Sequence, residues 1–169
     1  MARKIAMLVI PVVLLCFIDQ LTKYLAVTFL KDNSPKVIIE NVFQLQYLEN
    51  HGAAFGILQG HQVFFYIITI AIVAVLTFLY FRIPETRRML LLRLICIFII
   101  SGAIGNLIDR AINHYVVDFL YFSLINFPIF NVADIYVTGG AIAFIISLLF
   151  IYKDEDMRLI FPRQKSDDA

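Results

Sequence analysis

Charge is scarce in this chain. Asp, Glu, Lys and Arg make up only 16% of its 169 residues, against roughly 25% in ordinary soluble domains, and 61% of the residues are hydrophobic. That balance excludes a soluble domain and points to a membrane protein, one compact domain at most. A net charge of +1 gives no sign of a nucleic-acid partner. Cysteine is nearly missing as well: Cys16 and Cys96 lie far apart in apolar runs, with no His or Cys cluster at zinc or iron spacing. Both read as membrane-buried thiols, and no metal or cofactor is expected. Nucleophile motifs are absent too, since His51, His61 and His114 have no Ser or Cys partner in one. There are no repeats, low-complexity tracts or linkers before the polar tail "KDEDMRLIFPRQKSDDA". At the amino terminus, Arg3 and Lys4 before an apolar run ending in "LLC" imitate a cleavable leader, but bulky Leu15 stands where cleavage needs a small residue.

What is present is apolar sequence in four long stretches. A helix needs about 20 apolar residues to cross a bilayer, and candidates run from about Ile5 to Val27, Val63 to Phe81, Met89 to Ile108 and Val132 to Tyr152. The chain therefore reads as one polytopic domain, 1–169, of the all-α membrane class, with external segments 31–61 and 109–131 and a cytoplasmic tail, 153–169. Four crossings put both termini on one side. Cytoplasmic loops collect Lys and Arg, and one choice of side gathers Arg3, Lys4, Arg82, Arg87, Arg88, Arg93, Lys153, Arg158, Arg163 and Lys165, ten of the 14 basic residues. Both termini are expected in the cytoplasm.

The segment from Lys31 to His61 has a different rhythm. In "VFQLQYL" (42–48), Phe43, Leu45 and Tyr47 alternate with Gln44, Gln46 and Leu48, a period of two that suggests a strand with one greasy face. "KVII" before it suits a partner strand. A small sheet on the outer-leaflet surface is the expectation, because amphipathic and aromatic residues suit that interface.

On this topology the polar residues that interrupt the apolar sequence all fall toward the external face: Asp19, Lys23, Asn50, Asn106, Asp109, Arg110, Asp118, Asn131 and Asp134. They are expected to converge on one site. Each alone has a plainer explanation. Asp19 and Lys23 in "DQLTK" stand at i, i+4, the spacing of an internal ion pair. Asn106, Asp109 and Arg110 in "GAIGNLIDR" end the third stretch, where Gly102 and Gly105 permit close helix contact and Arg110 suits the helix dipole. Asn131 and Asp134 in "NVAD" form a capping box opening the fourth helix.

Asp118 resists that treatment. Asp118 and Asp134 are the only charged side chains between Arg110 and Lys153, and an unpaired carboxylate in apolar surroundings costs several kcal/mol or more. The Phe127-Pro128 step favours an extended chain, which lets Asp118 fold back to meet Asp134. Two carboxyls in contact share a proton. Such a dyad holds one base and one acid, enough to activate water against an amide carbonyl with no metal or covalent intermediate. A proton-coupled transporter would also use intramembrane acids, but both acids lie at one face with no ionisable ladder beyond them. A noncatalytic scaffold leaves the clustered Asn, Arg and Asp residues unexplained, and the GxGD motif of another intramembrane aspartyl protease class is absent.

The motifs together resemble one family over essentially the whole chain. "DQLTK", "NHGAAFG" (50–56), "GAIGNLIDR" (102–110), "VVDF" (116–119) and "FNVAD" (130–134) stand in the order and spacing of lipoprotein signal peptidase, or signal peptidase II, a bacterial intramembrane aspartic protease. The resemblance implies four transmembrane helices with a small external β-sheet, a catalytic pair Asp118 and Asp134, and site positions Asn50, Asn106, Arg110 and Asn131, with Asp19 and Lys23 as structural supports. It also implies a location in the bacterial cytoplasmic membrane and a substrate, a diacylglyceryl-modified prolipoprotein cut just before its lipidated cysteine. Membrane lipid is the other implied partner; no obligate protein partner is. The family often carries a different residue where His51 stands, so no role is implied for that imidazole.

Overall fold

Each apolar stretch forms a helix: α1 (Ala2–Leu30), α2 (Gln62–Arg82), α3 (Leu90–Asn113) and α4 (Val132–Phe150), in a computed structural model that describes residues 1–52 and 62–161. All four are long and apolar enough to span a bilayer. They alternate in direction. Lys31 at the end of α1 meets Glu49 of the sheet, while Lys4 at its start donates to the carbonyls of Phe81 and Ile83 where α2 ends. Residues 53–56 of the "NHGAAFG" motif, His61, Arg163 and Lys165 lie outside the described residues.

The helix α3 is the centre of the bundle. Half of its most apolar window is buried, against 17–22% in the other three, and α1, α2 and α4 all pack on it. Leu92, Ile95, Cys96 and Ile100 meet Leu8, Val12 and Cys16 of α1 and Tyr80 of α2 in one core. The outer faces of α1, α2 and α4 leave Phe17, Ile67 and Ile145 exposed, as suits contact with acyl chains. Two glycines make the α3 contacts possible: a Cβ on Gly102 would run into the Ala133 carbonyl, and one on Gly105 into the Asp19 carboxylate.

The boundaries differ from the sequence reading at two ends. The helix α3 continues beyond Ile108 to Asn113 and stops at His114, whose φ of 66° is left-handed. Asp109 and Arg110 are thus helical rather than external loop. Polar residues can extend a membrane helix when protein rather than lipid faces them, and Asp109 is 2% exposed. At the other end the polar tail begins with a short helix, α5 (Asp154–Ile160), that buries Ile160 and Asp156 and is held by Arg88 at 2.6 Å from Asp156.

The sheet has three antiparallel strands, β1 (Lys36–Ile39), β2 (Phe43–Asn50) and β3 (Val116–Tyr121), in that order. The turn between β1 and β2 contains Asn41 at a φ of 56°, a conformation Asn tolerates. The alternation in β2 does what its period requires: Leu45 and Tyr47 pack with Val117 and Phe119 of β3 against Ala26 and Leu30 of α1. The third strand is an addition to the two that the sequence pattern marks. "VVDFLY" is apolar on both sides of Asp118, and Val116 to Phe119 are all buried, so no alternation marks it as a strand.

Candidate active site

Asp118 and Asp134 line one cavity of about 570 Å³. Asp118 sits mid-strand in β3, where alternation sends Val117 and Phe119 toward α1 and Val116 and Asp118 into the cavity. Asp134 occupies the first turn of α4. The chain between them makes the return. After the 3-10 turn Ser123–Ile125, Phe130 runs back along β3: the N–H groups of Phe119 and Leu120 donate to its carbonyl at 3.0 and 2.8 Å, and its own N–H donates to Leu120. The next residue, Asn131, is thereby set beside Asp118.

Asn131 binds both acids. It caps α4 in a reciprocal box: its side-chain oxygen accepts from the Asp134 N–H at 3.0 Å, and Asp134 Oδ2 accepts from the Asn131 N–H at 3.1 Å. With the oxygen occupied, the amide nitrogen must face the other way. It donates to Asp118 Oδ1 at 2.6 Å and to Asn106 Oδ1 at 3.1 Å.

The neighbouring amides are oriented by the same logic. Asn50 accepts from the Gly52 N–H at 3.0 Å and so donates to Asp118 Oδ2 at 2.8 Å; it is the diagonal neighbour of Asp118 across the β2–β3 register, in which Leu48 opposes Asp118. Asn106 accepts from Lys23 Nζ at 2.9 Å and donates to Asp134 Oδ1 at 2.8 Å. All four oxygens of the two carboxyls therefore accept from a protein N–H. Asp118 is 1% exposed, and burial first, then the charge of Asp134, push its pKa up to about 7 against the pull of the amides.

Beneath the pair lies a buried ion cluster. Lys23 Nζ is 2.9 Å from Asp19 and 3.1 Å from Asp109. Asp19 also accepts from the Ala133 N–H at 2.9 Å, on the first turn of α4, and Asp109 accepts from the Val117 N–H of β3 at 3.0 Å. Gln20 bridges the two acids, 2.9 Å from Asp109 and 3.2 Å from Asp19. The i, i+4 pair expected of "DQLTK" is formed, but Asp109, read as part of a helix end, is its third member, and Gln20 went unnoticed. Its place inside the motif was the only signal.

Arg110 stands on the cavity wall with its guanidinium 4.7 Å from the centre of the Phe65 ring and one nitrogen 3.2 Å from the Gly52 carbonyl. No carboxylate pairs with it among the described residues. Of the cavity lining, Phe65, Ile135, Thr138 and Gly139 had no sequence signal, because an apolar cavity wall on a helix reads like lipid-facing helix. His51 packs edge-on against Tyr115. Among the described residues, no group of three His, Cys, Asp or Glu side chains could hold a metal ion.

Fold and cavity together define a multi-pass membrane protein with an acid-bearing cleft sunk into an apolar bundle. Comparison with known proteins narrows that class: the family profile described as signal peptidase (SPase) II matches residues 11–150, and the chain belongs to this family of proteases. It is 43% identical over 148 residues to the lipoprotein signal peptidase of Caldanaerobacter subterraneus subsp. tengcongensis, covering 87% of this chain and 97% of that one. It is 41% identical over 150 residues to the lipoprotein signal peptidase of Clostridium tetani, covering 87% and 93%. A bacterial membrane enzyme solved by the in meso method at 2.3 Å resolution superposes with a TM-score of 0.77 at 36% identity, over 86% of this chain and 88% of the other.

Proposed function

We propose that this protein is an aspartic endopeptidase that removes signal peptides from diacylglyceryl-modified prolipoproteins, cutting just before the lipidated cysteine. It would sit in a bacterial cytoplasmic membrane with both termini inside and the cavity toward the external face. The observation that carries the reading is Asn131: one residue hydrogen-bonds both carboxyls inside one cavity, which suits a pair acting as a unit. Membership of the signal peptidase II family supplies the reaction class.

The chemistry follows from the two environments. Asp118, raised to about 7, holds the shared proton, and Asp134 is the base. Asp134 takes a proton from water as its oxygen attacks the scissile carbonyl, and Asp118 gives its proton to the departing nitrogen. The three amides, aimed by their other partners, keep both carboxyls in place without reorganising. Arg110, with no carboxylate partner among the described residues, suits a hydrogen bond to substrate backbone. Acyl chains buried in the bilayer hold the substrate at the cleft, each methylene contributing about 0.8 kcal/mol.

Purified protein incubated with a diacylglyceryl-modified proprotein should yield a fragment beginning at the lipidated cysteine, identified by mass spectrometry, and the unmodified proprotein should be cut far more slowly. No shortened product from the modified proprotein would overturn the proposal. Equal cleavage of both forms would remove lipid from it.

A further inference from the structure

The helix α4 carries two adjacent glycines, and only one has a packing reason. A Cβ on Gly140 would meet Ile99 of α3 at 2.6 Å, as Gly102 and Gly105 are also filled by their neighbours, whereas a Cβ on Gly139 would meet nothing within 4 Å among the described residues. Glycine weakens a helix interior, so Gly139 needs another explanation. Its position supplies one. Asp134, Ile135, Thr138 and Gly139 all line the cavity, and their spacing of i, i+1, i+4 and i+5 puts them on one face of α4. Gly139 lies five residues past Asp134, roughly 7 Å farther along the helix axis at 1.5 Å per residue. There the cavity has left the oriented amides, Ile135, Thr138 and Gly139 are exposed, and α2 and α4 both pack on α3, so this end of the cavity opens on the apolar outer side of the bundle.

We infer that Gly139 sizes the open, lipid-facing end of this cavity for an aliphatic chain of the substrate, and is a specificity-determining residue. The inference rests on the proposed peptidase reaction and adds to it a place for the substrate's apolar part. Two sources supply such a chain: an acyl chain on the lipidated cysteine, or an apolar side chain of the signal segment just before the cut. Both are saturated hydrocarbon, and both must lie within reach of the scissile bond.

The test compares Gly139→Ala and Gly139→Leu with the unaltered full-length protein in detergent micelles, using synthetic lipid-modified peptides. One peptide series shortens the acyl chains; the other shrinks the apolar residues preceding the cysteine. Gly139→Leu should fold, since its side chain enters open space, and should lower kcat/KM for the standard peptide at least tenfold, mainly through KM; Gly139→Ala should lower it less. Recovery on shortened acyl chains assigns the pocket to lipid, recovery on smaller side chains assigns it to the signal segment, and either upholds the inference. Unchanged kcat/KM in Gly139→Leu, or an equal loss on every peptide with thermal stability retained, would overturn it. If the unaltered protein cuts no lipid-modified peptide, the peptidase proposal fails instead.

Discussion

The Lys23 ammonium lies 2.9 Å from the side-chain oxygen of Asn106, and this contact settles which way the Asn106 amide points. An amide whose oxygen faces a cation has only its N–H groups to offer elsewhere, and Asn106 offers one to Asp134 at 2.8 Å. Lys23 therefore touches neither member of the acid pair yet fixes a donor on one of them. It also neutralises Asp19 and Asp109, which are 0% and 2% exposed.

Lys23→Met should accordingly damage both stability and activity. Removing one partner of a buried ion cluster leaves uncompensated charge, at a cost of about 3–5 kcal/mol, so thermal unfolding in detergent should shift down by several degrees. Asp19→Asn in the Lys23→Met background removes one stranded charge and should recover part of the loss. No recovery would mean that packing, not charge, is what Lys23 supplies.

Asp118→Asn and Asp134→Asn should each abolish detectable cleavage, and the double variant should be scarcely worse than either, because paired groups act as one unit. Their folding effects should be alike. Asn at 118 turns an amide donor toward the donors of Asn50 or Asn131, and Asn at 134, keeping the cap through its oxygen, turns one toward the donor of Asn106, each costing about 1–3 kcal/mol. A single Asn variant that still cuts, in a preparation free of the unaltered enzyme, would dismiss the dyad.

Acidity gives a third expectation. A carboxyl raised to about 7 is protonated below that pH and ionised above it, so a general acid at Asp118 is lost as pH rises. The kcat/KM should fall about tenfold per pH unit above 7, the limiting slope for one essential proton. The folded protein also binds this proton more tightly than the unfolded chain, so the Asp118 contribution to stability declines as pH rises from the ordinary carboxylate range to about 7. An infrared carboxylic-acid band that disappears with a midpoint near 7, and is missing from Asp118→Asn, would identify the group; a midpoint near 4 would contradict the assignment.

Orientation is tested by labelling. Single cysteines at Glu40 and Asn113, both exposed, in a background lacking Cys16 and Cys96, should react with a membrane-impermeant thiol reagent on intact cells. One at Glu85 should not. The reverse pattern would turn the cavity to the cytoplasm.

The helices were legible because twenty-residue apolar runs leave few alternatives, and β2 because Phe43 to Tyr47 alternate. β3 was hidden by its own burial: a strand covered on both faces loses the period that identifies it. The two readings of "NVAD", a helix cap or half of an acid pair, are compatible, since the capping box uses Asp134 Oδ2 and Oδ1 accepts from Asn106. The ion-cluster role of Asp109 is illegible for another reason. Its partners Lys23 and Gln20 are more than 80 residues away on α1, and no local spacing announces a contact between helices.

The hydrogen bond from the Ala133 N–H to Asp19 spans 114 residues and gives the ion cluster an order of assembly during synthesis. When α1 enters the membrane, Asp19 and Lys23 are already neighbours on one helix and need no other segment to be paired. Asp109 joins when α3 arrives, and the Ala133 N–H and Asn131 only with α4. A nascent chain arrested before its last crossing would thus carry Asp118 without Asn131 and Asp134, so the cavity is left without its second acid until the final helix has been delivered.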